Sequence, residues 1–186
     1  EYGADVHHRL HSFEPERFDY TVEYGNKYHE HYLQAIMARS YIVGANIWNL
    51  NDFYSETRGY AQPRTNLKGI TTLNREKKDT WWLYKAVLSD EPVIKFGQNE
   101  WKIRGGVAEA GKDYCTQPVT VYSNGKRIQL IHNDVIYNAE VVDNIARFSV
   151  PFFNGQNRLE AISNIQSKTC KDVLDIDFRL TPNKFS

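Results

Sequence analysis

Residues 42–48 read IVGANIW. The stretch is short, nearly all apolar, and carries the β-branched Ile42, Val43 and Ile47. That composition predicts a strand buried on both faces, as in a parallel sheet. Upstream, Thr21 can cap a helix, because its hydroxyl can accept from the orphan N–H groups of a first turn. Glu23 suits the positive helix end, and Tyr24, Tyr28, Tyr32 and Ile36 recur every four residues on one face. Downstream, a polar loop is expected from about residue 49 to residue 76, after which KKDTWWLYKAVL (77–88) resumes a helical pattern. Residues 1–90 therefore read as α/β: strand end, loop, helix, strand, loop, helix. Two such βα units cannot close a sheet, and their apolar faces would be left half covered.

SDEP (89–92) marks the expected boundary, since proline disfavours helix at the residue before it. Beyond it the hydrophobic period changes to two. VTVYSNGKRIQLI (119–131) places Val119 and Val121 on one strand and Ile128 and Leu130 on the next. Asn124-Gly125 has the composition of a tight hairpin turn, and Asn154-Gly155 repeats it. VLDIDFRL (173–180) alternates again, with Asp175 and Asp177 expected on an exposed face. Residues 91–186 thus read as an antiparallel β-sandwich of about seven strands, with no catalytic constellation.

Composition narrows the function. The chain has 186 residues, 41% hydrophobic and 25% charged, which describes a folded chain. Its 23 basic and 23 acidic residues cancel, which argues against nucleic acid as a partner. No apolar run approaches a membrane span, which argues against a membrane partner. Cys115 and Cys170 match no metal spacing; a disulfide and two separate thiols both stay open. The 12 Tyr, 9 Phe and 4 Trp suit a carbohydrate site but equally a core. HHRLH (His7, His8, His11) and HEH (His29, His31) are not recognised zinc patterns, and they read as solvated or locally bonded. Trp81, Trp82 and Tyr84 read as packing of the last helix against its neighbours.

EYGAD (1–5) has neither an initiating Met nor a basic and then apolar targeting run before it. Glu1 therefore reads as a residue written for the interior of a larger protein. Four segments in order carry a pattern: EYGAD, the TVEYGNKYHEHY helix, NIWNLNDF, and NLKGITTLNREKK. Together they resemble the closing part of the catalytic barrel of glycoside hydrolase family 2, which includes β-galactosidases and β-glucuronidases. The trailing residues, with the VTVYSNGKRIQL and NRLEA segments, are similar to the immunoglobulin-like domains that follow such barrels. The resemblance implies the C-terminal portion of a (β/α)8 TIM barrel at 1–90 and an immunoglobulin-like antiparallel β-sandwich at 91–186.

The resemblance also implies roles. Glu1 matches the catalytic nucleophile at the end of the seventh barrel strand, where active sites of such barrels lie. A retaining glycosidase pairs it with a second carboxyl group about 5 Å away that protonates the leaving oxygen. The family's acid/base glutamate follows an asparagine on the fourth strand. Here Asn99-Glu100 falls at the start of the sandwich, so the expectation is a fragment that is inactive alone. Trp48 matches the floor of the sugar subsite. Asn66 and Lys68 match the Asn-x-Lys arrangement with which β-glucuronidases hold the sugar carboxylate, and Arg58 and Arg64 lie nearby to add charge. Asn49, Asn51 and Asp52 can serve hydroxyls or close a turn. No cofactor or metal is implied. The expected partners are a carbohydrate substrate, either a terminal β-D-galactoside or a β-D-glucuronide, and the remainder of the barrel; a homo-oligomer stays open. A periplasmic or secreted location is implied by the family alone. The rival reading is a non-catalytic carbohydrate-binding or structural β-sandwich module.

Overall fold

The computed structural model describes residues 1–59 and 61–183. Two compact units follow one another, Glu1–Trp82 and Leu83–Ser186.

The first unit is built around helix α1 (Val22–Met37). Thr21 caps it as expected, its Oγ1 accepting from the Tyr24 N–H at 3.1 Å. The Glu23 carboxylate in the first turn accepts the Ser12 N–H at 2.9 Å and pairs with His11 at 2.8 Å, so it also pins the preceding loop. The buried face is not the tyrosine row. Val22, Gly25, His29 and Leu33 face inward, one position round the helix. Gly25 is what lets α1 close on the first segment, because a Cβ there would strike the Val6 side chain. His29 is fully buried, which rules out the solvated alternative of the expectation for it.

Residues 42–48 depart from the expected two-faced strand. They are largely exposed, with Val43 open to solvent and a single parallel bridge, Tyr2 to Ile47. A parallel strand needs a ladder on each side to bury its faces. Among the described residues only the short segment at Tyr2 lies beside it. The expected loop at 49–76 contains an antiparallel pair, β1 (Phe53–Tyr54) with β2 (Thr65–Asn66). Helix α2 (Asp79–Leu88) follows.

The division between units falls within α2. Its last residues group with the second unit, where Asn144 Nδ2 donates to the Ala86 carbonyl at 2.8 Å. The second unit is a β-sandwich of β3 (Ile94–Phe96), β4 (Ile103–Val107), β5 (Tyr114–Ser123), β6 (Arg127–His132), β7 (Val135–Glu140), β8 (Ile145–Phe153), β9 (Gly155–Ile165) and β10 (Lys168–Thr181). One sheet runs β4-β10-β9-β6-β7, the other β3-β5-β8. Pairing is antiparallel except between β4 and β10, which run parallel. Inward residues from both sheets, among them Phe96, Val121, Leu130, Phe152, Leu159 and Phe178, form one core. Asp175 lies on the outer face as expected, 3.2 Å from Arg158.

Neither Asn-Gly pair makes a hairpin. β5 and β6 lie in different sheets, as do β8 and β9, so both pairs turn the chain from one sheet to the other. The apolar alternation continues across such a turn because both flanking strands face the same core. Paired positive φ angles occur at Asn133-Asp134 (φ 46° and 69°), joining β6 to β7, at Asp143-Asn144 (φ 51° and 64°), between β7 and β8, and at Gln166-Ser167 (φ 50° and 63°), joining β9 to β10. Two successive positive φ angles are the signature of the turn that matches strand twist. Cys115 and Cys170 are separate free thiols on β5 and β10.

Candidate functional site

Three segments of the first unit lie side by side. Tyr2 N–H donates to the Asn46 carbonyl at 3.0 Å, and the Trp48 N–H returns to the Tyr2 carbonyl at 2.8 Å. Asn49 N–H then donates to the Lys68 carbonyl at 3.0 Å, and Ile70 N–H to the Asn49 carbonyl at 2.9 Å. Gly3 passes directly under Trp48: a Cβ would strike the Trp48 carbonyl and come within 3.7 Å of Lys68 Cβ. Glycine is the residue that permits so close a backbone approach. The segments bearing Glu1, Trp48 and Lys68 are therefore neighbours, although they are far apart in sequence.

Glu1 is exposed at the head of its segment. Trp48 keeps 40% of its surface open and meets Phe53 edge-to-face at 6.1 Å. Asn66 is buried in β2, and its Oδ1 accepts the Lys68 N–H at 3.1 Å. That bond closes a local turn between Asn66 and Lys68. Lys68 is half-buried, with Nζ 4.0 Å from Asp5 Oδ2. Arg58 is also 4.0 Å from that oxygen. Asp5 Oδ1 accepts the Leu67 N–H at 3.2 Å, which ties it to the same loop. Arg64 is exposed, and its carbonyl accepts the Ser55 N–H at 2.9 Å.

A cavity of about 680 Å³ opens against α1. Tyr24, Tyr28 and Tyr32 form one wall, and Arg17, Arg58, Lys68 and Asp5 supply its charge. The tyrosine row thus lines a cavity instead of packing the helix, with Tyr28 and Tyr32 stacked at 4.5 Å. Three cations against one carboxylate favour an anionic occupant. Of the four expected site residues, the cavity wall includes Lys68 and not Glu1, Trp48 or Asn66.

Behind the loop lies a buried ion pair. Lys78 Nζ is 2.8 Å from Asp52 Oδ1, and both side chains are almost wholly buried. Burial pushes the Asp52 carboxyl up and the Lys78 ammonium down, while their mutual attraction works against both shifts. Asp52 is therefore structural and not a hydroxyl ligand. Asn51 is also committed, its Nδ2 donating to the Asp52 carbonyl at 2.7 Å. Asn49 Oδ1 is buried with no hydrogen-bond partner. Among the described residues, no three His, Cys, Asp or Glu side chains gather to hold a metal.

Sequence reasoning passed over Asp5 and Lys78. Asp5 lies inside EYGAD, next to a residue with an assigned role, and Lys78 lies in a polar run whose outward look hides a buried ammonium. A signal existed only for the first: an acidic residue facing two expected cations balances their charge.

No family model matches the chain. A curated protein of Formosa agariphila that carries a provisional β-glucuronidase name is 29% identical over 148 residues, covering 76% of this chain and 18% of that protein. The solved structure of Bacteroides uniformis β-glucuronidase 2 covalently bound to cyclophellitol-6-carboxylate aziridine matches 97% of this chain at 37% identity and a TM-score of 0.91. A Bacteroides fragilis structure provisionally named a β-galactosidase matches 99% at 28% identity and a TM-score of 0.79. The chain spans about a fifth to a quarter of the length of these proteins, 18%, 22% and 28% respectively. The chain resembles glycoside hydrolase family 2, as its four segments imply.

Proposed function

We propose that this chain is part of a retaining β-glycosidase acting on terminal β-D-glucuronides, with Glu1 as nucleophile and Asn66 and Lys68 as the carboxylate-binding pair. The observation that carries the reading is the convergence of the Glu1 segment, Trp48 and Lys68 through direct backbone hydrogen bonds. Glu1 would attack the anomeric carbon and form a glycosyl ester, while a second carboxyl group protonates the departing oxygen. Trp48 would support the apolar face of the sugar ring. Lys68 would supply charge and the Asn66 amide orientation to the two oxygens of the sugar acid. The cationic bias of Arg17, Arg58 and Lys68 over Asp5 supports an acidic sugar over a neutral one. Similarity to a β-glucuronidase bound to a carboxylate-bearing inhibitor supports the same choice. Similarity to the Bacteroides fragilis protein keeps a neutral β-galactoside as the second reading.

The (β/α) barrel assignment of the first unit belongs to this proposal. It is supported by the apolar stretch at 42–48, whose exposed residues are those a neighbouring strand and helix would cover. The 186-residue chain alone is expected to be inactive, because the only Asn-Glu pair, Asn99-Glu100, lies in the sandwich unit with Glu100 exposed. Incubated with aryl β-glucuronide and aryl β-galactoside, it should release no phenol beyond a Glu1→Gln control. The direct test is to label the full-length enzyme with a carboxylate-bearing cyclophellitol aziridine and locate the adduct by peptide mass spectrometry. The expected position is Glu1, with labelling abolished in Glu1→Gln. An adduct on another carboxylate contradicts the assignment.

A further inference from the structure

Lys78 Nζ has three protons to donate and finds three acceptors: the Val6 carbonyl at 3.0 Å, Asp52 Oδ1 at 2.8 Å and the Leu67 carbonyl at 3.1 Å. Asp52 Oδ1 also accepts the Gly69 N–H at 3.0 Å. One buried ion pair therefore grips the residue before Lys68 and the residue after it. The same ammonium reaches Val6, whose N–H donates to the Leu67 carbonyl at 3.0 Å, so the segment that begins at Glu1 is tied to the same point. Gly69 is packed so tightly against the Asn51–Asp52 backbone and the Thr71 carbonyl that no side chain fits there. A surface ion pair would add little to loop order. This one is enclosed, every donor on the ammonium is used, and loss of one partner would leave a buried charge without an answer.

We propose that Lys78 is the positioning residue of the Asn66–Lys68 loop, its buried ammonium fixing the loop against the Glu1 segment so that Lys68 meets an acidic sugar in one geometry. The inference rests on the glucuronidase reading for its substrate consequence and on the hydrogen bonds alone for the loop. Lys78 touches no expected substrate atom, so its loss should act through binding of the acid group and not through chemistry at Glu1.

The experiment uses the full-length enzyme with two variants, Lys78→Met and Lys78→Met/Asp52→Asn. The second removes the carboxylate charge that the first would strand, so the inference stays testable if the first fails to fold. Amide hydrogen exchange and steady-state kinetics are read together. Exchange at Leu67 and Gly69 should speed by roughly tenfold or more, while the sandwich amides at Ile128 and Leu130 stay unchanged. KM for an aryl β-glucuronide should rise roughly tenfold with kcat nearly constant, and KM for the matching β-galactoside should move less than about threefold. Unchanged exchange at Leu67 and Gly69 overturns the inference, as does an equal rise in KM on both substrates. A wild-type enzyme that cleaves no glucuronide would end the functional reading, and the exchange result alone would then decide the role of Lys78.

Discussion

His29 lies inside the first unit between the Tyr2 and Tyr28 rings, 6.0 Å and 5.4 Å away. Burial, with help from the Lys78 charge, lowers its pKa to about 4 from 6.5. The unfolded chain therefore takes up a proton near pH 6.5 that the folded chain refuses until near pH 4. The stability linked to His29 is fully present above pH 6.5 and is lost as the pH falls through that window. The full loss is on the order of 3 kcal/mol. Protection factors of α1 amides, corrected for the intrinsic pH dependence of exchange, should fall between pH 6.5 and 5, and a His29→Gln variant should flatten that dependence; an unchanged slope in the variant would exclude His29 as the cause. The sequence could not reveal this residue. HEH shows two histidines on a helix, and only packing decides which is enclosed. Lys78 was hidden for the same reason, whereas Glu1, Trp48, Asn66 and Lys68 could be nominated because short motifs carry them, and their roles remain part of the proposal.

At the level of elements, local signals were legible where they were self-contained. The Thr21 cap works because hydroxyl and N–H lie within one turn. Asn124-Gly125 was misread as a hairpin because a two-residue signal does not record which sheet the next strand joins. What Asn124 does is tertiary. Its Oδ1 accepts the Val93 N–H at 2.8 Å, and its Nδ2 donates to the Ser89 and Glu91 carbonyls at 3.1 Å and 2.7 Å. It fastens the segment after α2 onto the sandwich. Asn124→Ala should destabilise the second unit by about 2 kcal/mol, since three hydrogen bonds lose their partner. Ser167→Gly should be neutral or stabilise by up to about 1 kcal/mol, because glycine relieves the left-handed backbone of the β9–β10 turn. Urea denaturation monitored by the β-sheet signal checks both. A Ser167→Gly loss as large as that of Asn124→Ala would contradict the assignment of turns.

Across the whole molecule, the two units differ in how completely they are closed. The sandwich encloses its core between two sheets, while the first unit leaves the apolar stretch at 42–48 exposed and unladdered. Proteolysis of the 186-residue chain should therefore cut first within the first unit, near residues 39–59, and leave the sandwich as the resistant product. Early loss of the sandwich would contradict that order and would weaken the rival reading of a self-standing β-sandwich module as well. The two helices and the change of period near SDEP were legible because periodicity is local; the missing ladder at 42–48 was not, since it depends on neighbours. The central claim, that Asn66 and Lys68 hold a sugar carboxylate, is tested most directly by Lys68→Ala in the full-length enzyme. A charge-assisted hydrogen bond contributes roughly 1.5–3 kcal/mol, so kcat/KM on an aryl β-glucuronide should fall by roughly ten- to a hundredfold. The same variant should leave an aryl β-galactoside nearly unaffected, as that sugar has no carboxylate. Equal losses on the two substrates, or a wild-type enzyme that prefers the galactoside, would contradict the account.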